Sequence, residues 1–330
     1  MVTVICVCFI IGFCVSFYGW GLLLQHLAKY SVRNPVVTIV IGLSAIIFLG
    51  GELNLFRVAY GWTFDIFLLL GIILVVKFRK HLPELPHDKS EWLYVIIICL
   101  FVCVIMSFTV FTQLPPKCFN YHDDFEKYFA HPVRMLQTGT LFGSPLSDIG
   151  FDTLGGQAVL HGIMLNHFPI PYINGADAVF GLFLCLTMSV SMIPLRASFL
   201  PISIICLLTI FFINPQYVNI SSLYIGSALM MASILLFPKI YKNEKNNKYE
   251  GEKVLPPSVF IALIYASLMA TKSHFFLFPL LNLFFLIIAF KLSGLDNRNL
   301  IKWSVNFFHL GYYCIFRTIF VYCQSNCTLI

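Results

Sequence analysis

Residues Val2 to Leu24, VTVICVCFIIGFCVSFYGWGLLL, run without a single charged side chain. As a helix rising 1.5 Å per residue the segment is about 34 Å long, enough to cross the roughly 30 Å hydrocarbon core of a bilayer. A chain carrying such a segment must either wrap it in a large soluble core or place it in lipid. The first option needs a charged surface. Of the 330 residues, 59% are hydrophobic and only 11% charged, against about 25% in soluble domains. A soluble protein of this size must still clothe its surface, and the polar residues to do so are missing. The chain reads as an integral membrane protein whose lipid partner is the bilayer. No basic region precedes the first segment and no small-residue cleavage site follows it, so it is expected to stay as a membrane helix.

The pattern recurs along the chain. Further spans are expected at Val36 to Phe56, Tyr60 to Val76, Trp92 to Phe111, Ala176 to Ile193, Phe199 to Ile213, Leu223 to Phe237, Val259 to Ala270, Phe276 to Phe290 and Trp303 to about Tyr322. That makes an all-α, polytopic transmembrane helix bundle of about 10 spans. The connections set its orientation. Of the 21 Lys and Arg, only Arg57, Lys117, Lys127, Arg134, Lys272 and Arg317 fall on one side; the others fall on the opposite side. The richer side, which includes KFRKHLPELPHDKSE and KIYKNEKNNKYEGEK, is expected in the cytoplasm. The net charge of +6 therefore reports topology, and no nucleic acid partner is implied. Most of the 11 cysteines, Cys6, Cys8, Cys14, Cys99, Cys103, Cys185 and Cys206 among them, lie in apolar runs. They act there as small hydrophobes, and no C-x-x-C metal spacing occurs.

One long connection breaks the pattern, from Asn120 to Ile163. It divides the chain into N-terminal helices over 1–113, an extracytoplasmic loop region over 114–175 and C-terminal helices over 176–330. Loops beyond about 12–15 residues are usually functional or disordered, and Phe125, Tyr128, Phe129, Leu136, Leu141 and Phe142 argue against disorder. Asp123 and Asp124 stand where an extended segment turns into an expected helix, and a helix N-terminus favours carboxylates. Phe125, Phe129, Val133 and Leu136 recur at helical spacing and are expected in the membrane interface. Pro132 is expected to kink or end that helix by removing a backbone bond. A second amphipathic piece, Leu154 to Phe168, is also expected to lie in the interface. The structural alternative is that Asp123 only caps a helix and Asp124 only solvates the loop.

Asp124 and Tyr128, four residues apart, followed by Arg134-Met135-Leu136 and Gly139, resemble the first outer loop of the GT-C superfamily. These are multi-pass glycosyltransferases that use polyprenyl-phosphate sugars, among them the protein O-mannosyltransferases and the aminoarabinose transferases of lipid A. HDDFEKYFAHPVRMLQTGTL with the later GGQ at Gly155 to Gln157 is similar to a group of bacterial members. The resemblance covers about 50 residues closely. Two departures stand out: three spans precede the usual first helix, and the sequence ends where such enzymes commonly continue. Its YYCIFRTIFVYCQSNCTLI ending is expected to be a last helix or the tail of a truncated product.

The resemblance implies a transferase moving a sugar from a polyprenyl-phosphate donor to a cell-envelope acceptor, at the outer face of a bacterial inner membrane. It implies that Asp124 is the base or metal-orienting carboxylate. Asp123 would be its neighbour or co-ligand for a divalent ion such as Mg or Mn. His122, Tyr128 and Gln157 would line the substrate site, with Asp148 and Asp152 shaping its edge or serving as turn residues. Lys272 and His274, in TKSHFF at the outer end of a span, would hold the donor phosphate, a role lysine commonly fills. Otherwise Lys272 is an interfacial anchor. A different class remains open, a lipid or polysaccharide transporter or assembly protein without catalysis. Such proteins place ionisable groups inside spans, and Asp65 is then the main candidate.

Overall fold

The computed structural model describes residues 2–32, 34–79, 93, 96–105, 107, 128–141, 155–191, 222–245 and 258–292. Among the described residues the chain is helical, with no strand. Four segments are long and apolar enough to cross a membrane: Val2–Leu27, Pro35–Leu55, Gly61–Phe78 and Ile170–Val190. The first three are α1, α2 and α3. Ile96–Ile105 (α4) is a shorter apolar helix. Ala130–Thr138 (α5) and Gly156–His167 (α6) follow. The Ile170–Val190 segment opens with a 3₁₀ turn and a π-helical stretch, Gly175–Gly181, and closes as α7, Leu182–Ser191. Leu223–Lys245 (α8), Ser258–Thr271 (α9) and Leu277–Leu292 (α10) complete the described chain. The expected spans at Phe199 to Ile213 and Trp303 to Tyr322 lie outside these residues.

α2 is the centre of the bundle, touching α1, α6, α7, α8 and α9. Its start is written locally. Asn34 Oδ1 accepts from the Val36 and Val37 amides at 3.0 and 3.3 Å, and Pro35 takes the first helical position. A side-chain acceptor thus fills the orphan amides, while proline has no amide to leave unpaired. Glycine lets α1 and α2 approach closely: a Cβ on Gly42 would collide with the Phe17 carbonyl. α1 and α3 meet in the same way at Gly19 and Gly71. At the α1–α2 turn Gln25 Nε2 donates to Thr38 Oγ1 at 2.8 Å, and its Oε1 accepts from the Val32 amide at 2.8 Å.

The opposite end of the bundle is where the long connection returns. Asn54, at the end of α2, accepts the Leu141 amide on Oδ1 at 2.7 Å and Thr140 Oγ1 on its carbonyl at 3.0 Å. The Ala59 amide, in the α2–α3 turn, donates to the Gly139 carbonyl at 2.9 Å. Gly139 ends α5 at φ 75°, a left-handed cap, the conformation glycine adopts without steric cost. These bonds seat α5 against the α2–α3 turn.

Two expectations are corrected here. Pro132 does not end its helix: the chain is helical on both sides of it, with a π-helical turn at Tyr128 and Phe129 just before the proline, the kind of local irregularity that accommodates a missing backbone bond. And α6 does not lie on the surface as an amphipathic strip: every residue from Gly156 to Met164 is buried, packed against α2, α5, α9 and α3.

Candidate functional site

α6 brings three elements together at this end. Its glycine start makes that possible, because a Cβ on Gly156 would stand 3.0 Å from the Ala270 carbonyl of α9. Lys272 is two residues beyond Ala270, just past the end of α9. Gln157, next to Gly156, is buried, and His161 lies one turn on along the same face of α6. Across from it stands Tyr128, whose ring meets the His161 ring edge-on at 6.2 Å. Tyr128, Gln157 and Lys272, singled out from sequence, are thus carried to one end of the bundle by α5, α6 and α9.

His161 was not among the sequence candidates. It is 1% exposed, and neither ring nitrogen makes a well-formed hydrogen bond. Burial pushes the imidazole down from 6.5 to about 4, with the nearby Tyr128 backbone pulling the other way. Loss of water disfavours the charged ring, so His161 is neutral at physiological pH, one nitrogen a donor and the other an acceptor.

Asp177 was also missed. It is 2% exposed, yet its carboxylate is satisfied. Oδ2 accepts from the Leu223 and Tyr224 amides at 3.0 and 3.2 Å, and Oδ1 accepts from Ile225 at 2.8 Å. One carboxylate therefore caps the first turn of α8 from another segment, at the positive end of its dipole. Lys272 acts on it electrostatically, which ties the cation chosen from sequence to a buried anion. The signal for Asp177 was present: an ionisable residue inside an apolar segment long enough to span a membrane.

Asp65 has a different setting. Its Oδ1 lies 2.7 Å from His167 Nε2, and the Asn166 amide donates to both carboxylate oxygens at 3.2 Å. Both side chains of the ion pair are about one-third exposed, 33% for His167 and 37% for Asp65, so the pair stands at the rim of α3 and α6. His274 falls in the 3₁₀ turn Ser273–Phe276. His122, Asp123, Asp124, Asp148 and Asp152 lie outside the described residues. Among the described residues no three His, Cys, Asp or Glu side chains converge as a metal-ligand set; Asp123 and Asp124 are the expected ligands.

No family model matches the chain, and neither a curated protein nor a solved structure shows a detectable match to it.

Proposed function

We propose that the chain is a multi-pass membrane glycosyltransferase that moves a sugar from a polyprenyl-phosphate donor to a cell-envelope acceptor. The reaction would run at the outer face of a bacterial inner membrane. The observation that carries this reading is the contact of Gly156 with Ala270. It sets Gln157 of the GGQ turn at the same end as Lys272, with Tyr128 of the acidic loop packed edge-on against His161 of the same helix. Asp124 precedes Tyr128 by four residues, so their Cα atoms are at most about 14 Å apart.

The roles are those the family resemblance implies. Asp124 takes the proton of an acceptor hydroxyl, whose oxygen then attacks the anomeric carbon of the sugar. The bond from that carbon to the phosphate oxygen breaks, and its electron pair leaves with the lipid phosphate. Lys272 stabilises the charge gathering there. Tyr128 and Gln157 bound the sugar. A divalent ion held by Asp123 and Asp124 would add a Lewis acid for the phosphate.

A non-catalytic transporter or assembly protein is the second reading, and one observation favours it. Asp177 is an ionisable residue buried within an apolar segment long enough to cross a membrane, the placement typical of substrate and ion pathways. Asp65, the other candidate for that class, is about one-third exposed at the rim.

Purified protein in nanodiscs, given polyprenyl-phosphate sugar and an envelope lipid extract, tests the choice. Transfer releases polyprenyl phosphate; a transporter leaves the donor intact. Lys272→Gln should weaken donor affinity at least several-fold with thermal stability held. Unchanged affinity would remove Lys272 from the site and leave it as an anchor.

A further inference from the structure

We propose that the N-terminus of α6 and the side-chain amide of Asn54 form a binding site for a phosphate-type oxyanion. α6 begins after Gly155, at φ 76°, an N-cap residue with no side chain of its own to cap the helix. The Val159 amide bonds back to the Gly155 carbonyl at 2.9 Å, but the Gly156 and Ala158 amides meet no described acceptor. Both residues are buried, so ordinary solvent does not satisfy them. A buried helix end without partners calls for a side chain, water or a ligand.

Asn54 supplies the independent observation. It is 1% exposed, and its Oδ1 is taken up by the Leu141 amide and Thr140 Oγ1. Its Nδ2 is buried without a partner. That nitrogen lies 3.8 Å from the point where a Cβ on Gly155 would stand, the side from which a capping residue serves a helix. Among the described residues the corner therefore holds two backbone donors and a side-chain donor without acceptors. A buried donor left unmade is destabilising, so an occupant with several acceptor oxygens is favoured at this corner.

Charge and depth select phosphate. The helix N-terminus is the positive end of α6, and Lys272 follows the α9 carbonyl that touches Gly156. Lys272 also faces Asp177, but that carboxylate is already held by three α8 amides. Asn54 is the twentieth residue of α2 counted from Pro35, which puts it about 29 Å along the helix axis, one hydrocarbon thickness away. That is headgroup depth, where a lipid phosphate sits. Leu141 shields the corner, since a Cβ on Gly155 would collide with its Cδ1; a change of its rotamer opens the way. The oxyanion site stands without the transferase reading, whereas its identity as the donor-phosphate site rests on it.

Asn54→Asp is the sharpest probe. It keeps Oδ1 for Leu141 and Thr140, replaces the unpaired donor by a negative charge and lets that carboxylate cap α6 itself. The full chain in neutral maltoside micelles is titrated with farnesyl phosphate and, as control, farnesol. Wild type should bind the phosphate at least tenfold tighter than farnesol, and Asn54→Asp should lose that preference while melting no lower than wild type. A second variant, Ala158→Pro, deletes one helix donor at the position Pro132 occupies in α5, and should weaken the phosphate several-fold. Competition by inorganic phosphate, or by phosphatidylglycerol over phosphatidylcholine, supports an oxyanion site and says which source fills it. Equal affinity for farnesyl phosphate in wild type and both variants, or no preference over farnesol in wild type, overturns the proposal. Phosphate binding lost in Asn54→Asp with no sugar transfer by wild type would sink the transferase reading alone. Transfer with unchanged donor affinity in that variant would sink only the site.

Discussion

The Asp177 carboxylate accepts the Ile225 amide at 2.8 Å across 48 positions of sequence. With Leu223 and Tyr224 it completes a cap that the neighbouring Ser222 does not make, since Ser222 Oγ is buried without a partner. The bundle end thus depends on one side chain from the Ile170–Val190 segment to hold the start of α8. Asp177→Ala would strip the cap and leave buried amides unmade, at a cost of about 2 kcal/mol or more. Asp177→Asn retains an acceptor oxygen and should lose less. Melting of the purified variants in detergent checks both, and an Asp177→Ala protein as stable as wild type would refute the capping role.

Acid should loosen the packing of α6. His161 is held neutral by burial, with its folded value at about 4 against 6.5 when exposed. As pH falls below about 6.5 the unfolded chain takes up a proton that the folded chain does not, so stability declines until about pH 4 and then levels. Integrated over that window the loss is on the order of 3 kcal/mol. His161→Leu should flatten this part of the pH–stability curve. The same acid sensitivity in the variant would assign the effect to another group.

Sidedness is open to chemical labelling. In a cysteine-free background, single cysteines at Gly143 or Ser147 should react with an impermeant maleimide added outside, and one at Asn246 should not. Labelling at Asn246 with protection at Gly143 would invert the protein and take the acidic loop away from its expected donor.

What could be read from sequence, and what could not, follows the range of the forces involved. α1, α2 and α3 were visible because length and apolar content are local, and Asn34-Pro35 announces the start of α2 within two residues. Tyr128, Gln157 and Lys272 were reached through a motif and a charge at a helix end. At Pro132 the sequence left a kink and an end open, and the structure keeps the helix going past a π-helical turn. α6 was misjudged because its polar residues, Gln157 and His161, resemble an exposed face until α2, α5 and α9 close around them. Asp177 and Asn54 are tertiary relationships: their partners lie 46–48 and 86–87 positions away. No periodicity encodes such pairs.

The acidic loop is proposed to perform sugar transfer. The direct test is the rate of transfer from a polyprenyl-phosphate sugar by purified full-length protein, wild type against Asp124→Asn, with melting temperature measured on the same samples. Removing a general base commonly lowers a rate by about 10²–10⁴-fold. A loss of that size with melting unchanged is the result predicted. Near-normal turnover in Asp124→Asn, in a protein that folds and binds donor, would contradict it.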